Sequence, residues 1–483
     1  MNILIIMADQ HRYDCLGAYG NKDIRTPHID ALAEDGVVFD NSFCASPVCT
    51  PSRYSFITGL YPHQHLGWGN RSTIPAGLAT FPKLLREAGY LTKAVGKMHY
   101  TPTYLDVGFG EMELAEQNGD GRYDDDYHAY LMRRGEADCI DLIDQVKKYR
   151  KRASEHYWDS FGAMESNLPE ELHSTTWIGE RGLEALDRWE GDRNLLMVSF
   201  IKPHHPFDPP APWSRMYDPQ RLTLLPGWTE SCLPHDLQCS KGYFGHERLT
   251  EPALRQAMAL YYGSISQIDH YVGKMVEKLK QKGLYDDTLI LYTSDHGEYM
   301  GFHHLLLKGN YMYDPLAKVP LVIKYPGNRH KGTRRSDLVS NVDIAPTLLA
   351  LAGCSGGEAM AGKDLSQGPT GREFVFAEIG RGTQYMLRSE TRKLILHKDR
   401  SLSLYIDLEK DPLELHNLFF EAEYREEVRR MSETLYSFVL FESVSPNHVD
   451  AEANVIDDPA RTGKDASAVM RYFDERMDDY LRN

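Results

Sequence analysis

Residues 2–10 read NILIIMADQ, and residues 288–298 read TLILYTSDHGE. Each is a buried-strand run that ends on an acid, Asp9 in the first and Asp295 in the second. Between and beyond them strands alternate with helices. Thr26-Pro27 opens a helix that stops near Gly36, and a short helix is expected from Pro51 to about Thr58. Residues 80–90, TFPKLLREAGY, form a capped helix with a glycine stop, followed by the strand LTKAVG (91–96). NLLMVSFI (194–201) and VPLVIKY (319–325) are further strands. Thr250 to Gly283 carries a long helical pattern, and DIAPTLLALAG (343–353) another helix. This alternation predicts an α/β fold: a large, mostly parallel sheet sandwiched by helices. In such sheets ligands bind beyond the carboxyl ends of the strands, which is where Asp9 and Asp295 fall.

From about residue 366 the pattern changes to short β-like runs: EFVFAEIG, TQYMLRS, RKLILHK and SLYIDL. They predict a smaller antiparallel sheet, followed by a helix from about Glu421 to Phe441. A polar tail beyond Ser445 ends in a weakly amphipathic helix, ASAVMRYFDERMDDYL. The expected division is a catalytic domain over 1–365 and an α+β subdomain with a helical tail over 366–483.

Composition narrows the function. The chain has 483 residues, 42% apolar and 26% charged, with a formal charge of −16. Such acidity argues against nucleic acid or an anionic membrane as a partner. Seven scattered cysteines with no CxxC pair argue against a disulfide framework or a thiolate zinc site. The apolar run at the N-terminus lacks the basic flank and cleavage site of a signal peptide, so the expected location is cytoplasmic.

Four clusters carry groups able to do chemistry. They are ADQHR with Asp9 and Gln10; VGKMHY with Lys97 and His99; IKPHHPFDPP with His204 and His205; and SDHGEYMGFHHLLLKG with Asp295, His296, His303 and Lys308. Asp9, Gln10 and Asp295 offer oxygen and His296 one nitrogen, a set suited to a hard divalent cation such as Ca²⁺, Mg²⁺ or Mn²⁺. Lys97, Lys308 and Arg53, with the histidines, could form an anion pocket. Taken singly, each acid is more simply a cap or turn residue, and each cation a solvated side chain. Together they give a metal-assisted hydrolase acting on an anion.

Cys49-Thr50-Pro51-Ser52-Arg53 matches the C-x-P-S-R signature of type I sulfatases, within the alkaline phosphatase superfamily. TGLYP (58–62), GKMH (96–99), KPHHPF (202–207), SDHGE (294–298) and LYIDLEKDPLELHNL (404–418) resemble that family too, in its order and across nearly the whole chain. The resemblance implies that Cys49 is oxidised to Cα-formylglycine by a formylglycine-generating enzyme. The aldehyde hydrates, one diol oxygen attacks the sulfur of a sulfate monoester, and collapse of the sulfated diol expels sulfate.

It further implies Asp9, Gln10, Asp295 and His296 as metal ligands, with residue 49 completing the set and Ca²⁺ placed ahead of Mn²⁺ or Mg²⁺. Arg53 would hold the diol, and Lys97 and Lys308 the sulfate oxygens. His99 would be the base and His204 the acid near the leaving oxygen. Asn70 in GWGN and His303 would contact substrate. Many relatives have Asp-Asp and Asp-Asn where this chain has Asp9-Gln10 and Asp295-His296; choline sulfatases and phosphonate monoester hydrolases share these variants. The Lys97/His99 pair favours a sulfatase over a phosphonate or phosphodiester hydrolase. A small sulfated carbohydrate is the expected substrate, with choline sulfate as the alternative and Trp68, Tyr100, Tyr104 and Trp213 as sugar-stacking candidates. The segment from Gly110 to Tyr157, dense in Asp and Tyr, is expected to encode specificity, the bland alternative being a solvated acidic face. An oligomer is compatible with the sequence.

Overall fold

The computed structural model describes residues 1–117, 119–239, 243–444 and 466–482. Its centre is an eight-stranded sheet. The strands run in the order Glu111–Leu114, Leu91–Gly96, Asn194–Pro203, Asn2–Asp9, Thr288–Ser294, Leu321–Lys324, Val37–Phe39 and Thr333–Arg335. Asn2–Asp9 lies in the middle and pairs in parallel with a strand on each side. Every residue of it is buried. Leu4, Ile6 and Ala8 face one apolar cluster, while Ile3, Ile5 and Met7 face another. That two-residue period, apolar on both faces, is what a strand covered by helices on each side requires.

The direction of one strand departs from the parallel pattern. Leu321–Lys324 runs antiparallel to Thr288–Ser294 and to Val37–Phe39. The sheet is therefore mixed, and mostly parallel around the strands that carry Asp9, Lys97 and Asp295.

The expected helices form, two of them with side-chain caps, while Thr26 precedes Pro27–Asp35 without a cap hydrogen bond. Thr80 accepts from the Lys83 amide, and Thr250 from the Ala253 amide. The helix Glu251–Gln281 covers one sheet face beside Ser174–Asp187. The two approach closely because Gly179 has no side chain: a Cβ there would lie 2.2 Å from the Tyr271 ring.

A four-stranded antiparallel sheet follows: Val375–Ile379, Gln384–Arg388, Arg392–His397 and Leu404–Asp407. Its inner residues Val375, Ala377, Met386, Ile395 and Leu404 share one apolar cluster with Phe43, Tyr299, Phe302 and Tyr311–Tyr313 of the large body. The helix expected over 421–441 begins at Arg425 and runs to Ser437, then widens into a π turn over Phe438–Glu442. The polar stretch 445–465 lies outside the described residues. The final helix, Ala466–Tyr480, packs on the body, burying Val469, Phe473 and Met477 in the main core. Phe473 meets the His128 ring edge-on, and Arg152 pairs with Asp478.

Candidate active site

The ends of three strands of the central sheet deliver the charged groups; two are neighbours, and Asn194–Pro203 separates the third from them. Asp9 closes the central strand, and the chain turns at Gln10 with φ +63°. Asp295 and His296 follow Thr288–Ser294 directly; the Gln10 amide donates to Asp295 Oδ1 at 3.0 Å and locks the two ends together. On the third strand, Gly96 adopts φ +92°, and a Cβ there would lie 2.1 Å from the Ser199 carbonyl oxygen. Only glycine fits that approach, and it turns the next residue, Lys97, inward.

Cys49 is the first residue of the helix Cys49–Thr58, all of it buried. Pro51 sits within the first turn, where its missing N–H costs nothing. The helix start favours negative charge at position 49. The Cys49 sulfur lies 3.2 Å from His296 Nε2, 3.1 Å from Lys308 Nζ and 3.8 Å from Asp9 Oδ1. Arg53, one turn on, donates from Nε to Asp295 Oδ2 at 3.0 Å and from Nη2 to Asp9 Oδ2 at 2.8 Å. Its Nη1 donates to the Lys97 carbonyl and to Ser199 Oγ. Lys97 Nζ lies 2.8 Å from Asp9 Oδ2. Lys308 Nζ also reaches Gln10 Oε1 at 2.9 Å.

These charges set the ionisation. Burial pushes the Asp9 carboxyl up, and so does the Cys49 thiolate. Lys97, His204 and Arg53 outweigh both and hold it well below the usual carboxylate range. Burial also opposes a Cys49 thiolate, yet Lys308, Lys97 and His296 drive the thiol well below its ordinary value. Position 49 is thus a place where the fold stabilises an anion. Burial, reinforced by Lys308 and Lys97, pushes His204 well below an ordinary histidine.

The donor set fits a hard cation. Asp9, Cys49, Asp295 and His296 each offer a ligand atom, all within 4.8 Å of one another and all buried. Gln10 adds an amide oxygen. Two carboxylates, an amide oxygen and a single imidazole make an oxygen-rich set.

The sulfatase family model matches residues 1–354. The chain belongs to the sulfatase family. A model described as the C-terminal part of N-sulphoglucosamine sulphohydrolase matches residues 301–439 of this sulfatase. The arylsulfatase of Clostridium perfringens (strain 13 / Type A) is 32% identical over 462 residues, covering 88% of this chain and 92% of that protein. The choline-sulfatase of Rhizobium meliloti (strain 1021) is 30% identical over 440 residues, covering 86% and 82%. Among solved structures, the phosphonate monoester hydrolase of Agrobacterium radiobacter superposes with a TM-score of 0.77 at 25% identity, over 95% of this chain and 100% of that one. The fold is alkaline phosphatase-like, and the sulfatase is an enzyme of the sulfuric ester hydrolase class.

The remaining candidates of this sulfatase fall into two groups. His99, Asn70 and His204 stand around Cys49. The His99 carbonyl accepts from Thr50 Oγ1, its φ is +56°, and its buried Nδ1 has no hydrogen-bond partner. Asn70 Oδ1 accepts from the Thr50 amide at 3.2 Å, at the start of the Cys49 helix. His204 Nδ1 donates to the His205 carbonyl at 2.7 Å, which leaves Nε2 to face the pocket, where the ring hydrogen-bonds the Cys49 sulfur. His303 is placed differently: its Nε2 donates to the Leu413 carbonyl and its Nδ1 faces Asp236. Tyr100, stacked on Tyr54, and Tyr104 are buried core residues rather than sugar platforms. Trp213 donates to Glu170, and Trp68 is half-buried.

Several supporting residues escaped the sequence reading. Glu298 accepts from Gln10 Nε2 and from the Met300 and Leu307 amides. It thereby fixes the Gln10 amide with Oε1 toward the cluster. Its only signal in sequence was the last letter of SDHGE. Glu116 accepts from the Met98 and His99 amides. Gln117 lies 3.5 Å from Lys97 Nζ and donates to Asp141 and to the His205 carbonyl. Asp144 pairs with His205 Nδ1 at 2.6 Å. The 110–157 segment is therefore not a solvated acidic face. Asp125, Asp138, Asp141 and Asp144 are buried, and the last two back the pocket.

Proposed function

We propose that the enzyme hydrolyses sulfate monoesters of a small sulfated carbohydrate, using formylglycine derived from Cys49 and a bound divalent cation, Ca²⁺ before Mn²⁺ or Mg²⁺. The observation that carries this reading is the convergence on one buried sulfur of Lys308, His296 and Asp9, with Arg53 and Lys97 tied to the same carboxylate. Formylglycine supplies a hydrated aldehyde as nucleophile in place of the thiol, and the cation, when bound, lowers the proton affinity of the attacking oxygen. Asp9, Gln10, Asp295 and His296 would hold that cation.

The remaining work belongs to side chains of the chain itself. Lys97 and Lys308 bind sulfate oxygens and offset charge that grows in the transition state. Arg53 keeps Asp9 and Asp295 together despite their mutual repulsion. His204 presents Nε2 to the leaving oxygen. An arriving anion offsets the field of Lys308 and Lys97, which is what lets His204 carry the proton it gives up. His99, with an unpartnered Nδ1, takes the proton whose removal releases sulfate. Asn70 holds the Thr50 amide, next to Cys49, at the pocket edge.

Phosphonate monoester hydrolysis is the second reading, favoured by the superposition with the Agrobacterium enzyme and by the Asp-Gln and Asp-His pairs. Lys97 beside Asp9 and His99 beside Thr50 support the sulfate reading. The deciding experiment compares kcat/KM for 4-nitrophenyl sulfate with that for a 4-nitrophenyl phosphonate monoester. It continues with desulfation of sulfated mono- and disaccharides and of choline sulfate. Orders-of-magnitude preference for the phosphonate would overturn the first reading. Mass spectrometry of the Cys49 peptide from the native host tests the aldehyde, expected as replacement of the cysteine sulfur and two hydrogens by one oxygen.

A further inference from the structure

A second group of metal-binding side chains lies apart from the residues that surround Cys49. His235, Asp236 and His303 bring two imidazole nitrogens and a carboxylate oxygen within 4.8 Å of one another. Asp236 and His303 are fully buried, while the His235 side chain keeps 22% of its surface open. Hydrogen bonding settles which atoms are spare. His303 Nε2 lies 2.7 Å from the Leu413 carbonyl oxygen, a pure acceptor, so this nitrogen carries the proton. In the neutral ring Nδ1 is then a bare lone pair. It faces Asp236 Oδ2 at 3.5 Å, and neither atom has a hydrogen-bond partner. A buried acceptor left unpaired costs about 1–3 kcal/mol, and here two of them point at each other.

A cation between them removes the conflict, and the geometry suits one. Ligands about 2.0–2.1 Å from a tetrahedral ion lie roughly 3.3–3.5 Å apart. His235 Nε2 is 3.9 Å from the same carboxylate oxygen. The outer contacts match those of ligating groups, whose second atom is held by a fixed partner. Leu413 holds the far nitrogen of His303, and the Tyr313 hydroxyl donates to Asp236 Oδ1 at 3.0 Å. On binding, His235 would exchange its 2.9 Å contact with the Tyr313 hydroxyl for the ion.

We propose that His235, Asp236 and His303 form a second cation site, selective for a borderline first-row divalent ion, with zinc the best match to two imidazoles and one carboxylate. Its ligand set differs from the oxygen-rich set at Asp9 and Asp295, so the two sites prefer different metals. It joins the helix Pro234–Cys239, the strap that leads to Lys308, and the loop at Leu413. Nothing in it depends on the substrate read for the first site.

The test uses the full chain carrying Asp9→Asn and Asp295→Asn, which weakens cation binding at the first site. The protein is stripped with chelator and titrated with Co²⁺ alone, read by its visible absorption, and then with Zn²⁺ in competition. One equivalent of Co²⁺ is expected, displaced by Zn²⁺. Tyr313→Phe should weaken binding about 10-fold or more, and His303→Gln should abolish it. Where His303→Gln fails to fold, the partly exposed His235→Ala decides, with an expected loss of at least about 10-fold. The proposal is overturned if no cobalt band forms. It is equally overturned if the equivalent survives His235→Ala unchanged, or if nitrogen-15 NMR of the stripped protein shows His303 doubly protonated and zinc leaves that signal unmoved.

Discussion

Replacing Arg53 by lysine keeps the charge and removes the fork, and the structure says what that should cost. The guanidinium makes four contacts inside the fold: one to each of Asp9 and Asp295, one to the Lys97 carbonyl and one to Ser199. A lysine ammonium is a compact point donor and cannot span both carboxylates from position 53. At least two of the four contacts are lost, each to a buried acceptor. At about 1.5–3 kcal/mol for a bond involving a charged group, Arg53→Lys should lower unfolding stability by about 3–6 kcal/mol. The two acids, no longer bridged, lose their fixed separation, and the cation they would hold loses its geometry. A loss of about 10²–10³ in kcat/KM is expected, comparable to deleting one preorganised charge-stabilising donor. Urea unfolding gives the first quantity. Initial rates on 4-nitrophenyl sulfate, at a urea-free temperature where the variant is folded, give the second. A variant with an unchanged urea midpoint and kcat/KM within about threefold of the parent would refute the claim that the fork holds the site together.

Glu298→Gln should free the Gln10 amide to turn over, weakening divalent cation binding at the first site by about 10–100-fold while leaving the fold intact; isothermal titration with Ca²⁺ and Mn²⁺ measures it, and unchanged affinity would remove Glu298 from the account. Asp269 is raised by burial to about 7, against which the His28 and Ile29 amides pull only partly. The folded state thus prefers the neutral acid, and that contribution is whole below about pH 4 and lost as pH rises through 7. Asp269→Asn should therefore gain stability relative to the parent between pH 5 and pH 8, on the order of 2–4 kcal/mol, and parallel stability curves would contradict this. Phe473→Ala, which empties a fully buried position in the final helix, should cost about 3–5 kcal/mol in chemical denaturation; a cost below 1 kcal/mol would mean the helix does not dock in solution.

Much of the fold could be read from the chain because the relevant patterns are local. Apolar runs that end in Asp9 and Asp295 announce strands with acids at their carboxyl ends, and Thr80 and Thr250 announce helix starts. Strand direction is another matter. VPLVIKY looks the same whether it runs with or against its neighbours, so its antiparallel pairing was not legible. For the Asp-rich segment 110–157 the expectation is specificity, and the bland alternative of a solvated face stands beside it because acids usually seek solvent. In the fold Arg122 pairs with Asp141, and His205 with Asp144, across separations that no local pattern encodes. Glu298 went unnoticed for a related reason: its role depends on the amide of Gln10, 288 positions away. The groups around Cys49 were legible only in combination, since each alone has a bland explanation that close approach to the others displaces.

The final helix lends itself to a different kind of reading. Its ridge of Val469, Phe473 and Met477 docks against the same stretch whose Asp141 and Asp144 stand behind Lys97 and the His204–His205 pair. Substitutions near the end of the chain thus have a mechanical route to the rear wall of the pocket. A screen for altered substrate preference that randomised only the residues lining the cavity would overlook this lever, and a fusion or clipped terminus that levered the helix away would be read out as a change in chemistry.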